Sequence, residues 1–403
     1  MTPSTRIVEP VWPPFVSVST YGDLITALGS GFGSPTAIRI DAPVIDIVKD
    51  VLIEANQQVL ITSGSSTNAV LDGQKLTRIF SMQPGTLLVL DGIDIVNGST
   101  AYNDPGDTDG GGIISSGTGS IIVRNCRFED NAAVHGNGGA IYCNGDIDMY
   151  KSVVTSCEAI SSSGAPAYNG VGGGLVVGGN AFILGTTFNS NMATRDAGGI
   201  YTAGSLTVSG GTISNNSAGG NGGGIFIEVG GSLDILNMAR VIGNTAVNGG
   251  GIGYRDYNTL LDVKVRIGVE FENNSATRAF KRDPIDNVIY NMNIEAIQWT
   301  YPFAQGYNNV DIQYTYGAPY AVPIDVTLTA KKTVNGAPMS NGLFMFTAMT
   351  SLDSVAATND ASGNIVFPAI HFDQPGKYNV TVSEVAPWTA PGELTNGWSM
   401  TGP

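Results

Sequence analysis

Five short runs in the middle of the chain alternate apolar and polar residues with a period of two. They read SIIVRN from 120, DIDMYK from 146, AFILGT from 181, SLTVSG from 205 and SLDILN from 232. That period predicts strands rather than helices. Helical periodicity is nearly absent from residues 36 to 280. Two other signatures recur between the runs. A Gly-Gly pair precedes an apolar or small residue at Ile113, Ala140, Leu175, Ile200, Ile225 and Ile252, in steps of 27, 35, 25, 25 and 27. An apolar residue stands three before an asparagine at Phe128/Asn131, Phe188/Asn191, Ile213/Asn216, Val241/Asn244 and Phe271/Asn274, and Val154 is followed in the same way by Cys157.

No single period buries its own apolar face, so successive periods must stack. The expected fold is all-β: a parallel β-helix, or solenoid, of about ten coils over residues 36–280, giving a rod of roughly 50 Å at the usual strand spacing. In such a stack equivalent residues lie above one another. Asn131, Asn191, Asn216, Asn244 and Asn274 are then expected to form a buried hydrogen-bonded ladder, broken at Cys157. Gly-Gly supplies a turn with positive φ or a close approach between coils. Residues 20–30, TYGDLITALGS, predict a short capping helix with Leu24, Ile25 and Leu28 on one face. Residues 282–303 lose both signatures, become aromatic and are expected to close the stack.

After about Ala321 the glycine pairs vanish and ordinary strands follow. VTLTAKKTV aligns Val326, Leu328, Ala330, Lys332 and Val334, FMFTA aligns Phe344, Phe346 and Ala348, and YNVTVSEV aligns Val380, Val382 and Glu384. An antiparallel β-sandwich is expected over 321–403, after a solenoid unit over 1–320 with regular repeats at 111–280 and a closing segment at 281–320. Lys332 and Glu384 fall in register with core positions, where ionised groups are costly. Strand ends reaching water, or a simple ion pair, would explain them. So would a buried pair in which a neutral amine attacks a carboxamide while a protonated carboxyl shuttles protons.

The GG[A/I/L] and [F/I/V]xxN repeats resemble those of the polymorphic outer-membrane protein type, over roughly Gly111 to Asn274. That resemblance implies a right-handed parallel β-helix on a bacterial surface and a role in adhesion. Residues 76–101 resemble the less regular first coils of such proteins, and WTYPFAQGYNNVDIQYTYG at 299–317 the segment that ends the helix in Gram-positive cell-wall versions. KKTVNG, GLFMFTA and the stretch ending YNVTVSEV resemble the Gram-positive pilin isopeptide-linkage domain. The resemblance implies Lys332 as nucleophile and Glu384 as proton shuttle. The acceptor asparagine belongs to a last strand that is not found before Pro403, so no residue is assigned to it. The sandwich is therefore expected to be incomplete, or completed by a strand from another chain, for which TRIVEPVWPPFVSV at 5–18 is a candidate despite Pro10, Pro13 and Pro14.

Composition narrows the function. The chain has 403 residues and a net charge of −15, from 19 Lys+Arg against 34 Asp+Glu. This disfavours nucleic acid and anionic membrane surfaces as partners. No apolar run approaches the ~20 residues of a membrane helix, and the N-terminus lacks a signal-peptide core. Cys126, Cys143 and Cys157 form no CxxC and read as buried free thiols. GNGGGI and GVGGGL lack the following helix and Lys-Ser/Thr of a phosphate loop. Asp104, Asp107 and Asp109 have the donor type for Ca²⁺, although a solvated turn is the commoner use of such a cluster; no other cofactor is expected.

Parallel β-helices also include polysaccharide lyases and glycosidases. Aligning the runs places Asp148, Ile183, Thr207 and Asp234 in one outward column. Its two carboxylates then lie about 14 Å apart, beyond the ~5–9.5 Å used in glycoside hydrolysis. Asp146 shares a strand face with Asp148, but no aligned basic residue faces them; His135 reads as a surface turn residue and His371 has no partner. The expectation is a non-catalytic, extracellular cell-wall or cell-surface protein, an adhesin for glycans or proteins. A structural filament subunit is the alternative, and a polysaccharide-active enzyme the third.

Overall fold

The computed structural model describes residues 7–29, 35–101, 108–161, 169–256, 259, 262–266, 268–278, 310–313, 324–333, 341–342, 344–350, 354–372 and 379–385. The chain divides into two compact units at Ala318/Pro319.

The first unit is a parallel β-solenoid. A ten-stranded sheet runs from Val16–Val18 to Val263–Val265, a nine-stranded sheet from Val44–Asp46 to Glu270–Glu272, an eight-stranded sheet from Val51–Ile53 to Ile252–Tyr254, and a six-stranded sheet from Ala132–Val134 to Ser275–Ala276. Every pairing in these sheets is parallel and in register, so one side chain type recurs above another. Ile121, Ile147, Ala181, Leu206 and Leu233 stack inward, with Val123, Met149, Ile183, Val208 and Ile235 beside them. All are buried in one continuous core. Nine strands of the first sheet lie between Thr36 and Val265, one fewer than the ten coils expected, so this stack is about 38 Å long at the usual spacing.

Both ends carry closing elements. The helix Tyr21–Gly29 buries Leu24, Ala27 and Leu28, not Ile25, which is 39% exposed. Its start is fixed by a reciprocal cap. The Asp23 amide donates to Thr20 Oγ1, while the Ser19 and Thr20 amides donate to the Asp23 carboxylate. At the other end the Gly251 and Ile252 amides donate to the carbonyls of Val310 and Asp311, and Ile312 bridges Ile252. Most of the proposed closing segment, including 282–303, lies outside the described residues.

The N-terminal segment is used within its own chain. Val16–Val18 pairs with Thr36–Ile40 as the first strand of the ten-stranded sheet. The second unit is antiparallel. Ile324–Val326 pairs with Ile370–Phe372, Thr329–Lys331 with Asn364–Val366, and Met345–Met349 lies between Ser354–Thr358 and Thr381–Val385. Phe346, Ala348, Ile365, Phe367 and Ile370 form its core.

Candidate functional site

The asparagine signature builds a continuous ladder at one buried corner. The Nδ2 of Asn191 donates to Oδ1 of Asn216, Asn216 to Asn244, and Asn244 to Asn274, at 2.9, 2.9 and 3.0 Å. Each Oδ1 also accepts the backbone N–H of the preceding ladder residue, and each Nδ2 donates to a carbonyl of the preceding rung, as Asn216 does to Phe188. Cys157 weakens the ladder without ending it. Its amide still donates to Asn191 Oδ1 at 3.0 Å, but Asn131 Nδ2, which donates back to the Ile95 carbonyl at 2.9 Å, meets on the next rung a sulfur at 3.7 Å in place of an amide oxygen. The residue before each asparagine takes positive φ, as Asp130, Ser190, Asn215, Gly243 and Asn273 show.

The ladder ends on Asp311, whose carboxylate accepts from Asn274 Nδ2 at 2.9 Å. Burial pushes the Asp311 carboxyl above its ordinary value, and the Asn274 hydrogen bond offsets part of that rise. A carboxyl with a raised folded-state value binds its proton more tightly in the native state. Its contribution is therefore present at low pH and is lost as pH rises through the folded value. Asp311→Asn keeps the acceptor and removes the charge. Its unfolding midpoint should exceed the parent's at pH 7, with the gap closing as pH is lowered toward 4; a gap constant with pH would refute this origin.

The glycine signature is sharper than its sequence form. The rungs align Ile113, Ile141, Leu175, Ile200, Ile225 and Ile252. Ile141, not Ala140, thus occupies the position after the pair, and Ala140 stands where the other rungs have the second glycine. Positive φ falls one residue earlier, at Gly222 for example (φ 65°), while Gly223 and Gly224 serve close approach.

The outward column of the ten-stranded sheet reads Asp148, Phe182, Thr207 and Asp234. Phe182 replaces Ile183, which points into the core. Lys264 lies in register beyond Asp234, and Arg266 donates to both Asp234 carboxylate oxygens at 2.8 and 2.7 Å. A basic partner therefore stands beside Asp234, which the aligned runs did not reveal.

Asp104 and Asp107 lie outside the described residues. Asp109 Oδ1 accepts from the Asn137 backbone and side chain at 2.8 and 3.0 Å, a use that links two turns. His135 occupies a turn with φ 68°, and the backbone of His371 pairs with Asp325. The three cysteines are buried and unpaired with one another, and burial pushes each thiol up to about 12. A colorimetric thiol reagent at pH 8 should find no reactive thiol in the native chain and all three in denaturant.

One cluster escaped the sequence reading. On the eight-stranded sheet Tyr201 and Phe226 stack with ring centroids 5.6 Å apart, and the Arg255 guanidinium lies 4.9 Å over Phe226. Arg255 binds both Glu228 oxygens, and the Tyr201 hydroxyl donates to Glu228 at 2.5 Å. Burial would raise the Glu228 carboxyl, but these donors outweigh it and hold it at about 2. Burial, then Glu228, raise the Tyr201 hydroxyl. The common offsets after Gly-Gly were the available signal: Tyr201 and Phe226 follow the aligned isoleucine directly, and Glu228 and Arg255 follow it by three.

In the second unit Lys332 and Glu384 meet. Lys332 Nζ donates to Glu384 Oε2 at 2.5 Å and lies 4.8 Å over the Phe344 ring; the two side chains are 20% and 22% exposed. The strand pairing Phe346 with Glu384 brings the carboxyl to the core face.

These features define a parallel β-solenoid whose repeated residues are spent on holding rung to rung. The Chlamydia polymorphic membrane protein repeat matches residues 125–144, the stretch carrying Phe128, Asn131 and Gly139. No curated protein and no solved structure matches the chain. The repeat and the solenoid both fit polymorphic-protein-type β-helix repeats. No described helix is long and apolar enough to cross a membrane.

Proposed function

We propose that the chain is a non-catalytic, surface-presented part of a bacterial adhesin or stalk, offering a stiff β-solenoid to glycans or proteins on host or neighbouring cells. The observation that carries this reading is the repeat match at 125–144, which falls on a rung of the asparagine ladder. The ladder and glycine residues, the most regular features of the sequence, act within the solenoid and leave the outward faces to vary. Purified chain should bind whole cells, or components of a glycan or protein array, saturably and without releasing reducing sugar or unsaturated uronate. Sugar release would replace this reading with the polysaccharide-active one, for which the Asp234–Arg266 pair would be the first residues to mutate. Absence of binding to cells and arrays alike would favour a filament or stalk without adhesive function.

The Lys332–Glu384 contact supports a second proposal, an isopeptide cross-link in the small domain. Lys332 would be the nucleophile and Glu384 the proton shuttle, with an acceptor asparagine still to be identified. Intact mass of a chain extended beyond Pro403 should fall by one ammonia, and Lys332→Ala should restore the full mass. An unchanged mass in the extended parent would end this proposal.

A further inference from the structure

The outward column of the ten-stranded sheet changes character along its length. From the N-terminal end it runs Ala37, Leu60, Val89 and Ile122 before reaching Asp148. The four apolar residues are buried although they point away from the solenoid core. Their cover is the N-terminal segment. Ile7 and Trp12 pack on this cluster, beside Tyr150 of the sheet itself, and Glu9 pairs with Arg124, in the same strand as Ile122. The Trp12 indole N–H donates to Glu9 at 3.1 Å, so the two anchors brace each other.

The segment lies across the rungs. Val16–Val18 pairs with the rung of Thr36–Ile40, while Glu9 reaches Arg124 three rungs further on. From Val16–Val18 itself that is four strand spacings, about 19 Å, within the reach of seven extended residues. Among the described residues, no backbone hydrogen bond ties 7–15 to the sheet. The segment's other side is apolar and bare, with Val8 86% and Val11 95% exposed. A segment held by so few contacts opens at lower free energy than the body it rests on. Pro10, Pro13 and Pro14 favour an extended chain even when it is released, so redocking loses little conformational freedom. Opening bares a strip that fits this segment and is indifferent to which copy supplies it.

We propose that residues 7–15 form an exchangeable strap, and that its docking strip also receives the strap of a second copy of this chain, linking two molecules by mutual exchange. Recognition needs an aromatic ring on the apolar strip and a carboxylate three residues earlier on Arg124. The tethered strap wins in dilute solution through its high effective concentration, and exchange takes over where chains are crowded.

Two full-length variants test it. The donor carries Ile122→Asp and Arg124→Glu, which spoil the strip and leave the strap intact. Asp148 occupies the next rung of the same column, so the sheet has a precedent for the aspartate. The acceptor carries Glu9→Ala and Trp12→Ala, which disable the strap and leave the strip intact. Tagged acceptor should retain untagged donor in a 1:1 pair by native mass spectrometry, and retain a donor that also carries Trp12→Ala at least tenfold less. No pair between two variants that both melt cooperatively would overturn the proposal. Should the donor lose its cooperative melt, a fluorescent peptide of residues 7–15 decides on the acceptor alone. Saturable binding, weakened at least tenfold when Arg124→Glu is added, supports exchange; absence of binding overturns it.

Discussion

Asn216→Ala should lower the unfolding free energy of the solenoid by about 3–5 kcal/mol, since each buried polar group left unsatisfied costs about 1–3 kcal/mol. The substitution removes the acceptor of two donors, the Asn191 amide and its Nδ2. It also removes the side-chain donor to the Phe188 carbonyl and to Asn244 Oδ1. Asn216 and Asn244 are fully buried, so water does not take over these roles without opening the corner. Asn216→Asp keeps the acceptor but sets a carboxylate oxygen against two other oxygens in a buried site. At pH 7 it should be at least as damaging as alanine, and part of the loss should return on acidification, when the carboxyl regains a donor. The converse substitution, Cys157→Asn, should stabilise by completing the rung that Asn131 now lacks. Urea unfolding of the three variants is the measurement. Loss below 1 kcal/mol for Asn216→Ala, or destabilisation by Cys157→Asn, would show that the ladder does not hold the coils together.

Gly223→Ala should cost about 3 kcal/mol or more, at the upper end for overpacking a rigid site. A β-carbon there would lie 2.4 Å from each of two carbonyl oxygens, of Gly250 and Thr245. Both belong to the backbone of the next rung, which parallel pairing holds in place, so neither oxygen can swing aside as a side chain would. Gly224→Ala meets one carbonyl, of Gly251, at 2.7 Å. The equivalent residue of an earlier rung is Ala140, so the stack has a way to make room, and about 1 kcal/mol is expected. Gly224→Val adds two methyl groups facing Ile213 and Asn244 and should approach the cost of Gly223→Ala. Equal effects of the two alanines, measured by the same unfolding experiment, would remove the distinction between them.

The ladder was legible because a buried asparagine leaves two marks, itself and the apolar residue three before it. The stack followed from periods too short to bury a face alone. Registers were harder where a run is apolar on both faces. In AFILGT, Phe182, Ile183 and Leu184 are consecutive, so period two does not say which one points inward; pairing with Met149 decides for Ile183. In GNGGAI three small residues precede the isoleucine, and the eye takes Ala140 for the wrong position. The Tyr201–Glu228–Arg255 cluster joins three rungs, and charges brought together from different rungs leave no local pattern. The strap was hidden for a further reason. Its prolines argue correctly against a strand, but nothing in a linear alternation says that an outward column, Leu60 to Ile122, will be covered.

The asparagine amides all point the same way. Each accepts from the rung before and donates to the rung after, until Asp311, which only accepts when ionised. An extra coil spliced between Asn216 and Asn244 would meet a donor on one side and an acceptor on the other, and would leave both ends unchanged. A coil placed after Asp311 would meet no donor. The length of such a protein is thus a countable variable, adjustable one coil at a time by duplication or loss of an internal segment of about 25 residues. Its two termini, built from unrelated sequence, stay fixed as the units between them multiply.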